Sequence, residues 1–555
     1  MRTMITATAV AFMAMGVSPG ALADQDRHVL TVNIEIQSSW SRNFNPFNET
    51  TRLRSTREFI YEPLVIYNVF DQGQPHYRLA ISDDYADDLM SIAFDLREGV
   101  TWSDGEPFTA EDVVFTYEMI RDEPALDLWG MWDDRLESVE AEGDHRVIFH
   151  LQEVYTGVHE RIAEVPVVPM HIWSEVSDPV SYANTDPVGS GPFTEIDRFS
   201  SQIYVQCRNP HYWDNDNLEV DCLRFPQLGS NDNVLLAGAD GELDWFGSFI
   251  PDIDQTYVAH DPDHHHYWLP PGSLVGMVLN LNASADGNRE AFNDINFRRA
   301  FSMAMDRQAM VNVAGYGYPT INQDPSGLGE LYALWADADI LAEFSEFMDY
   351  DLDAAGALLA EAGYEDSNGD GYLNTPSGES IRFELIVPNG WTDWVNTVRI
   401  AVSDLQDLGL NVEARTPEVA AWDEAYISGE FTGGINSWLP GVTPHRQIDG
   451  AYHPRFVDRR RDAAARYHND ELVGLLEQFY TVAEQSEQET IMHEMQAILS
   501  RDMPIIPVFN NPMWYQYNDS RFTGWWNADN PGGRPQPHAG NPERLLHVLD
   551  LSPRN

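Results

Sequence analysis

The densest group of metal-ligating side chains lies in His260 to His266, HDPDHHH. On a strand His264 and His266 would share one face, which suits a metal ion. An exposed strand end accounts for the same residues, and no metal is expected. Asp366 to Gly371, DSNGDG, has the alternating oxygens and the turn glycine of a calcium loop. The twelfth position is Ser377 and not the bidentate Glu such a loop needs, so a hairpin turn before a strand at 381–387 is the reading. Gly189-Ser190-Gly191 has the glycines of a phosphate loop, but Pro192 removes a backbone donor the cradle would require. Asp104, Glu106, Glu111 and Asp112 have turn and helix-capping duties, with Thr109 as the cap. The chain contains no lysine, so P-loop, Schiff-base and Ser-x-x-Lys chemistry are closed to it. No catalytic residue, cofactor or enzymatic activity is expected.

What remains is non-covalent binding, and for that the chain is well supplied: it has 16 tryptophans and 12% aromatic residues. Trp40, Asn43 and Phe44 lie in a loop at 37–48, just after a strand at 29–36. Trp391 and Trp394 open a helix directly after the strand at 381–387. Trp438 ends a strand beginning at Ile435, and Trp245 is grouped with these residues. Crevices in open α/β sheets lie beyond the strand ends, so all seven are expected to face a ligand. Cys207 and Cys222 are the only cysteines. In an exported protein they are expected to pair, closing a loop worth roughly 3 kcal/mol in the chain-entropy model.

The elements that would carry these residues are legible from periodicity. Asp294 caps a helix whose Phe297, Ala300, Phe301, Ala304 and Met305 form one apolar stripe, with Arg298 and Arg299 off it. A helix is expected over 56–67, strands at 91–96 and 505–509, a hairpin over 139–151, long helices over 471–499, and a loop at 530–542. Arg459 to Arg461, the only basic run, reads as a salt-bridged helical surface. Residues 1–23 read as a secretory signal cleaved after Ala23, which makes the mature protein periplasmic. The net charge of -56 argues against nucleic-acid and membrane-surface partners and reads as an acidic surface suited to high salt.

Asn280-Leu281-Asn282 followed by the D-x-x-x-R-R-A-x-x-x-A-x-D-R helix at 294–307 resembles the family 5 solute-binding proteins of ABC importers. Four further stretches match in order: YEPL at 61–64, LREGVTWSDGEPFTAEDVVFTYE at 96–118, PVGSGPF at 187–193 and RNPHYW at 208–213. The resemblance implies a large two-lobe α/β periplasmic binding protein, type II with an extra domain, holding its ligand between the lobes. Lobe I would comprise 24–60, 185–276 and 508–555, the additional domain 61–184, and lobe II 277–507, with hinges near Leu279 and Val508. It also implies a monomer that hands its ligand to a membrane permease and its ATPase. Peptide-binding relatives carry two acids in a W-x-x-D-x-x-D-P stretch, and here Gly441 and Thr443 stand in those places. The T-P step, NFNPF and GWTDWV look more like the cellobiose and oligosaccharide branch. An oligosaccharide is therefore the expected ligand, with an oligopeptide next. A secreted glycoside hydrolase, needing two carboxylates roughly 5–9.5 Å apart across a cleft, is the alternative of another class.

Overall fold

The computed structural model describes residues 27–482 and 484–554, so the expected signal segment at 1–23 lies outside the described residues. Val29–Asn33 has parallel neighbours on both sides, Cys222–Pro226 and Trp245–Phe246. Both of its faces are covered, which is why Leu30, Thr31, Val32 and Asn33 are all buried and the run does not alternate. Around it a seven-stranded sheet runs in the order His265–Tyr267, Gln516–Asn518, Trp245–Phe246, Val29–Asn33, Cys222–Pro226, Ile203–Cys207, Glu195–Phe199.

A second, six-stranded sheet is ordered Thr320–Ile321, Ile505–Pro512, Pro271–Leu279, Gly433–Trp438, Arg382–Ile386, Asn411–Arg415. The chain passes between the two sheets twice, through 268–270 and through 513–515. Pro271–Leu279 and Ile505–Pro512 are antiparallel partners, so these passages lie side by side. The crossings lie at the Pro271 and Pro512 ends of this pair, whereas Leu279 and Val508, the expected hinge positions, lie inside the second sheet. A third sheet, antiparallel, orders Ala80–Tyr85, Ser91–Leu96, Arg146–Leu151 and Leu136–Ala141. The helix Ala110–Asp122 packs on it behind a Thr109/Asp112 capping box. No described helix is long and apolar enough to cross a membrane.

One expectation fails here for a physical reason. No helix forms over 56–67: the run is turns followed by the strand Val65–Asn68. The carbonyls of Phe59 and Ile60 instead accept from Phe193 and Gly191, at 2.9 and 2.8 Å. A Cβ at Gly189 or Gly191 would collide with the Ile60 and Phe59 carbonyl oxygens, so the glycines of GSGPF permit this backbone approach. Arg298, off the apolar stripe, is nonetheless buried. It donates to the Asp502 and Phe292 carbonyls and so satisfies the last turn of the helix Gln485–Asp502. The stripe beside it, Phe297, Ala300, Phe301, Ala304 and Met305, is buried behind the Asp294 cap.

Cys207 and Cys222 face each other across the antiparallel pair Ile203–Cys207 and Cys222–Pro226 and form a disulfide. Thiol labelling of denatured, unreduced protein is expected to find no free cysteine. Reduction should cost roughly 3 kcal/mol, the loop-closure entropy returned to the unfolded chain. Two labelled thiols would overturn the bond.

Candidate ligand cleft

A cleft of about 410 Å³ is lined by residues of both large sheets' lobes and of the third sheet's layer. Gly390 opens one wall. Its φ of +87° is left-handed, and a Cβ there would lie 2.5 Å from the Gly229 carbonyl oxygen of the opposite lobe. The next residue, Trp391, is the N-cap of the helix Thr392–Asp407. Its ring meets Trp394 at 4.8 Å and Trp422 at 5.7 Å, so three indoles make one aromatic corner. Trp438 ends its strand at the cavity and donates its indole N–H to the Asp462 carbonyl at 2.9 Å. Trp129, under the Arg57 guanidinium, and Trp514, edge-on to Phe249, bring the lining tryptophans to six.

Four residues expected at the cleft do not line it. Trp40 is buried edge-on against Tyr204, and Phe44 packs on Phe199 and Tyr204. Asn43 donates to the Thr51 hydroxyl and accepts from the Asn45 N–H. The 37–48 loop folds back on its own sheet, with Trp40 N–H bonded to the Ser201 carbonyl, and serves as an apolar plug. Trp245 is fully buried, donates to the Pro535 carbonyl and packs against His547. A strand-end aromatic supports either role, and only long-range packing chooses. His264 and His266 both turn to Asp519, which also takes Arg554. Among the described residues no group of three or more His, Cys, Asp or Glu is placed to hold a metal. The Asp366 carboxylate accepts from the N–H groups of Gly369, Asp370 and Gly371, the work of a turn.

The charge of the cleft was not visible in the sequence. Among the described residues eight arginines and eight carboxylates line it, a balance foreign to a chain with 33 arginines and 89 acids. Arg54 spans the opening between Glu35 of the first lobe and Asp423 of the second, at 3.2 and 3.4 Å. Glu49 pairs with Arg52 and Arg57, and these cations outweigh burial to hold its carboxyl well below the usual range. Burial, reinforced by neighbouring guanidiniums, pulls Arg52 down to about 9 and does the same to Arg446, which still pairs with Glu164. Arg460 and Arg461 face the cleft, paired with Asp462 and Asp423, and Arg461 lies over the Trp422 ring at 4.9 Å. Arg459 reaches Asp133 at 2.7 Å. The basic run is thus salt-bridged, but on a cleft wall made of loop and a single 3-10 turn, Arg461–Ala463, and not on a helical surface. Asp393 is buried and accepts from the Asn231 side chain at 3.2 Å across the lobes; burial pushes its pKa up to about 6. The tail adds Arg534, Gln536 and His538, so the expected loop at 530–542 is cleft wall as well.

Lining indoles, largely paired charges and polar edges in one cleft are suited to holding a solute. Two α/β lobes joined by adjacent crossing segments, with this cleft between them, define a two-lobe periplasmic binding protein. The chain belongs to the bacterial extracellular solute-binding proteins, family 5, whose model matches residues 74–454. It is 30% identical over 340 residues to Protein XP55 of Streptomyces lividans, covering 61% of this chain and 58% of that one. It is 22% identical over 537 residues to the probable peptide-binding protein YejA of Agrobacterium fabrum, covering 87% and 84%. Its fold matches a mannohexaose-bound periplasmic oligopeptide-binding protein of an ABC transporter from Thermotoga maritima. There the TM-score is 0.87 and the identity 23%, over 96% of this chain and 99% of that one.

Proposed function

We propose that this chain is the periplasmic receptor of an ABC importer and that it captures a neutral oligosaccharide, performs no chemistry on it, and delivers it to a permease and its ATPase. The observation that carries this reading is a cleft lined by six tryptophans, with the half-buried Trp391 the most open of them, in which fifteen of the sixteen described charged side chains are already paired. Apolar sugar faces stack on indoles, and hydroxyls take up the polar edges. In peptide-binding relatives an aspartate at a fixed place pairs the peptide's terminal amine. At the two places where peptide-binding relatives carry acids this chain has Gly441 and Thr443; Gly441 lies on the cleft wall, and the Thr443 hydroxyl is 3.1 Å from that of Tyr480. That the Thermotoga neighbour holds mannohexaose accords with this.

In this reading residues 27–60, 185–267 and 516–554 form the first lobe, 61–184 the additional domain and 271–512 the second lobe; the expected boundaries at 276/277 and 507/508 shift because Pro271–Leu279 and Ile505–Pro512 are strands of the second sheet. The protein works as a monomer, exported after cleavage of its first 23 residues into a high-salt environment that its acidic surface tolerates. Closing on the ligand rotates the lobes about 268–270 and 513–515. Mass spectrometry of ligand released from purified protein should find hexose or pentose oligomers, and calorimetry should give heats with cello-, xylo- or manno-oligosaccharides. Release of peptides, with no heat from any sugar, would overturn the proposal in favour of a peptide receptor. Turnover of chromogenic glycosides would overturn it in favour of a hydrolase.

A further inference from the structure

Of the sixteen charged side chains lining the cleft, fifteen have an ion pair or hydrogen bond within the protein. The exception among the described residues is Glu160, half-buried on the short helix Val158–Glu164. Its position is nonetheless well fixed. On the same helix Arg161 reaches Asp449 at 2.8 Å and Glu164 pairs with Arg446, both on the second-lobe helix His445–Tyr452. Behind Glu160 lies a void of about 10 Å³, bounded also by Glu164, Arg446, His445 and Tyr480, with room for about one water.

A carboxylate has about four acceptor sites, and one water supplies at most two donors. The rest must come from the cleft side, and once a ligand has displaced the solvent there, from the ligand itself. Arg161 and Arg446 feel the Glu160 charge through space without touching it. Both guanidiniums are engaged by other carboxylates, Arg161 by Asp449 and Arg446 by Glu164, so what Glu160 lacks is hydrogen-bond donors. Neutral O–H groups supply donors without adding charge beside two guanidiniums.

We infer that Glu160 is a specificity-determining residue that accepts hydrogen bonds from two neighbouring hydroxyls of one sugar ring, an inference that rests on the carbohydrate reading above. The two oxygens of one carboxylate match the spacing of a vicinal diol, so the ring is held in one register along the cleft. Stacking on tryptophan fixes which face of the ring is covered but does not distinguish one hydroxyl pattern from another. Glu160 makes that distinction.

The test is Glu160→Gln in the full chain. Titrations use whichever of cellopentaose, xylopentaose or mannohexaose binds the unaltered protein, and a thermal melt accompanies each. The amide keeps the shape and loses one acceptor, so affinity should fall roughly 10- to 100-fold with the melt unchanged. Deoxyfluoro analogues, in which one hydroxyl donor is replaced by fluorine, should lose as much against the unaltered protein at the gripped positions, and little more against the variant. Equal affinity of variant and unaltered protein for the sugar would overturn the inference while leaving the carbohydrate reading intact. If none of the three sugars binds the unaltered protein and peptides do, both fall together.

Discussion

Replacing Trp391 with alanine is expected to weaken oligosaccharide binding by on the order of 2 kcal/mol, roughly 30-fold, and to leave folding nearly untouched. Trp391 is only half-buried in the cleft, and it caps a helix without a side-chain hydrogen bond. Its companions are different. Trp394 and Trp438 are 4% and 2% exposed, and Trp438 is also tied by its indole N–H to the Asp462 carbonyl. Truncating either of them should cost about 3–5 kcal/mol of stability as well as affinity, because each leaves a cavity. Calorimetry and melts of the three variants, side by side, separate the two roles. A Trp391→Ala protein that binds sugar normally but melts early would place Trp391 in the core and remove the stacking platform from the proposal.

Asp449→Asn is the second large effect, and it acts on stability. The Asp449 side chain is 1% exposed and accepts from Arg161 at 2.8 Å and from Arg455 at 2.7 Å. Burial by itself would raise its pKa, but Arg455 and Arg161, helped by His445 and His453, outweigh that and hold it far below the ordinary carboxylate value. Because the folded pKa is depressed, the ionised group contributes stability that is fully present above the unfolded value of about 3.9 and is lost as pH falls below it. Near pH 7 the asparagine variant should lose about 3 kcal/mol, since a buried guanidinium is left facing a neutral amide. Between about pH 4 and pH 2 the unaltered protein should lose stability more steeply than the variant. Scanning calorimetry across that range tests both statements; parallel pH curves would show that Asp449 is not held ionised in the fold.

The consequence of Asp449 reaches the cleft. Arg161 lines the cavity on one side and grips Asp449 on the other, so the pair joins the helix Val158–Glu164 to the helix His445–Tyr452. Loosening it should blur the placement of Glu160, one residue away. A loss of sugar affinity in Asp449→Asn, smaller than in Glu160→Gln, is consistent with a supporting role.

The elements came from the sequence wherever one residue period ruled a local stretch. The helix after Asp294, the capping box at Thr109 and Asp112, the hairpin before Leu151 and the strands around Ile386, Ile435 and Val508 all follow from neighbours within a turn or a pleat. With only two cysteines, the disulfide needed no choice of partner. Five ordered motifs were enough for the family, and with it the two-lobe architecture. The misreading at 56–67 marks the edge of this logic, since its carbonyls are taken up by a glycine segment more than 120 positions away in the chain.

Which side chains face the cleft was decided by tertiary structure alone. Trp40, Trp245, Trp391 and Trp438 all stand near strand ends, and the local pattern is the same whether the ring plugs a core or lines a cavity. The arginine and carboxylate lattice was further out of reach: Arg54 meets Asp423 across 369 positions and Arg161 meets Asp449 across 288. Such pairs leave no periodic trace, and in a chain with 89 acidic residues every arginine has many conceivable partners. Burial selects among them, because a guanidinium taken out of water must have its N–H groups met by carboxylates or, as for Arg298, by carbonyls, and only the closed fold determines which.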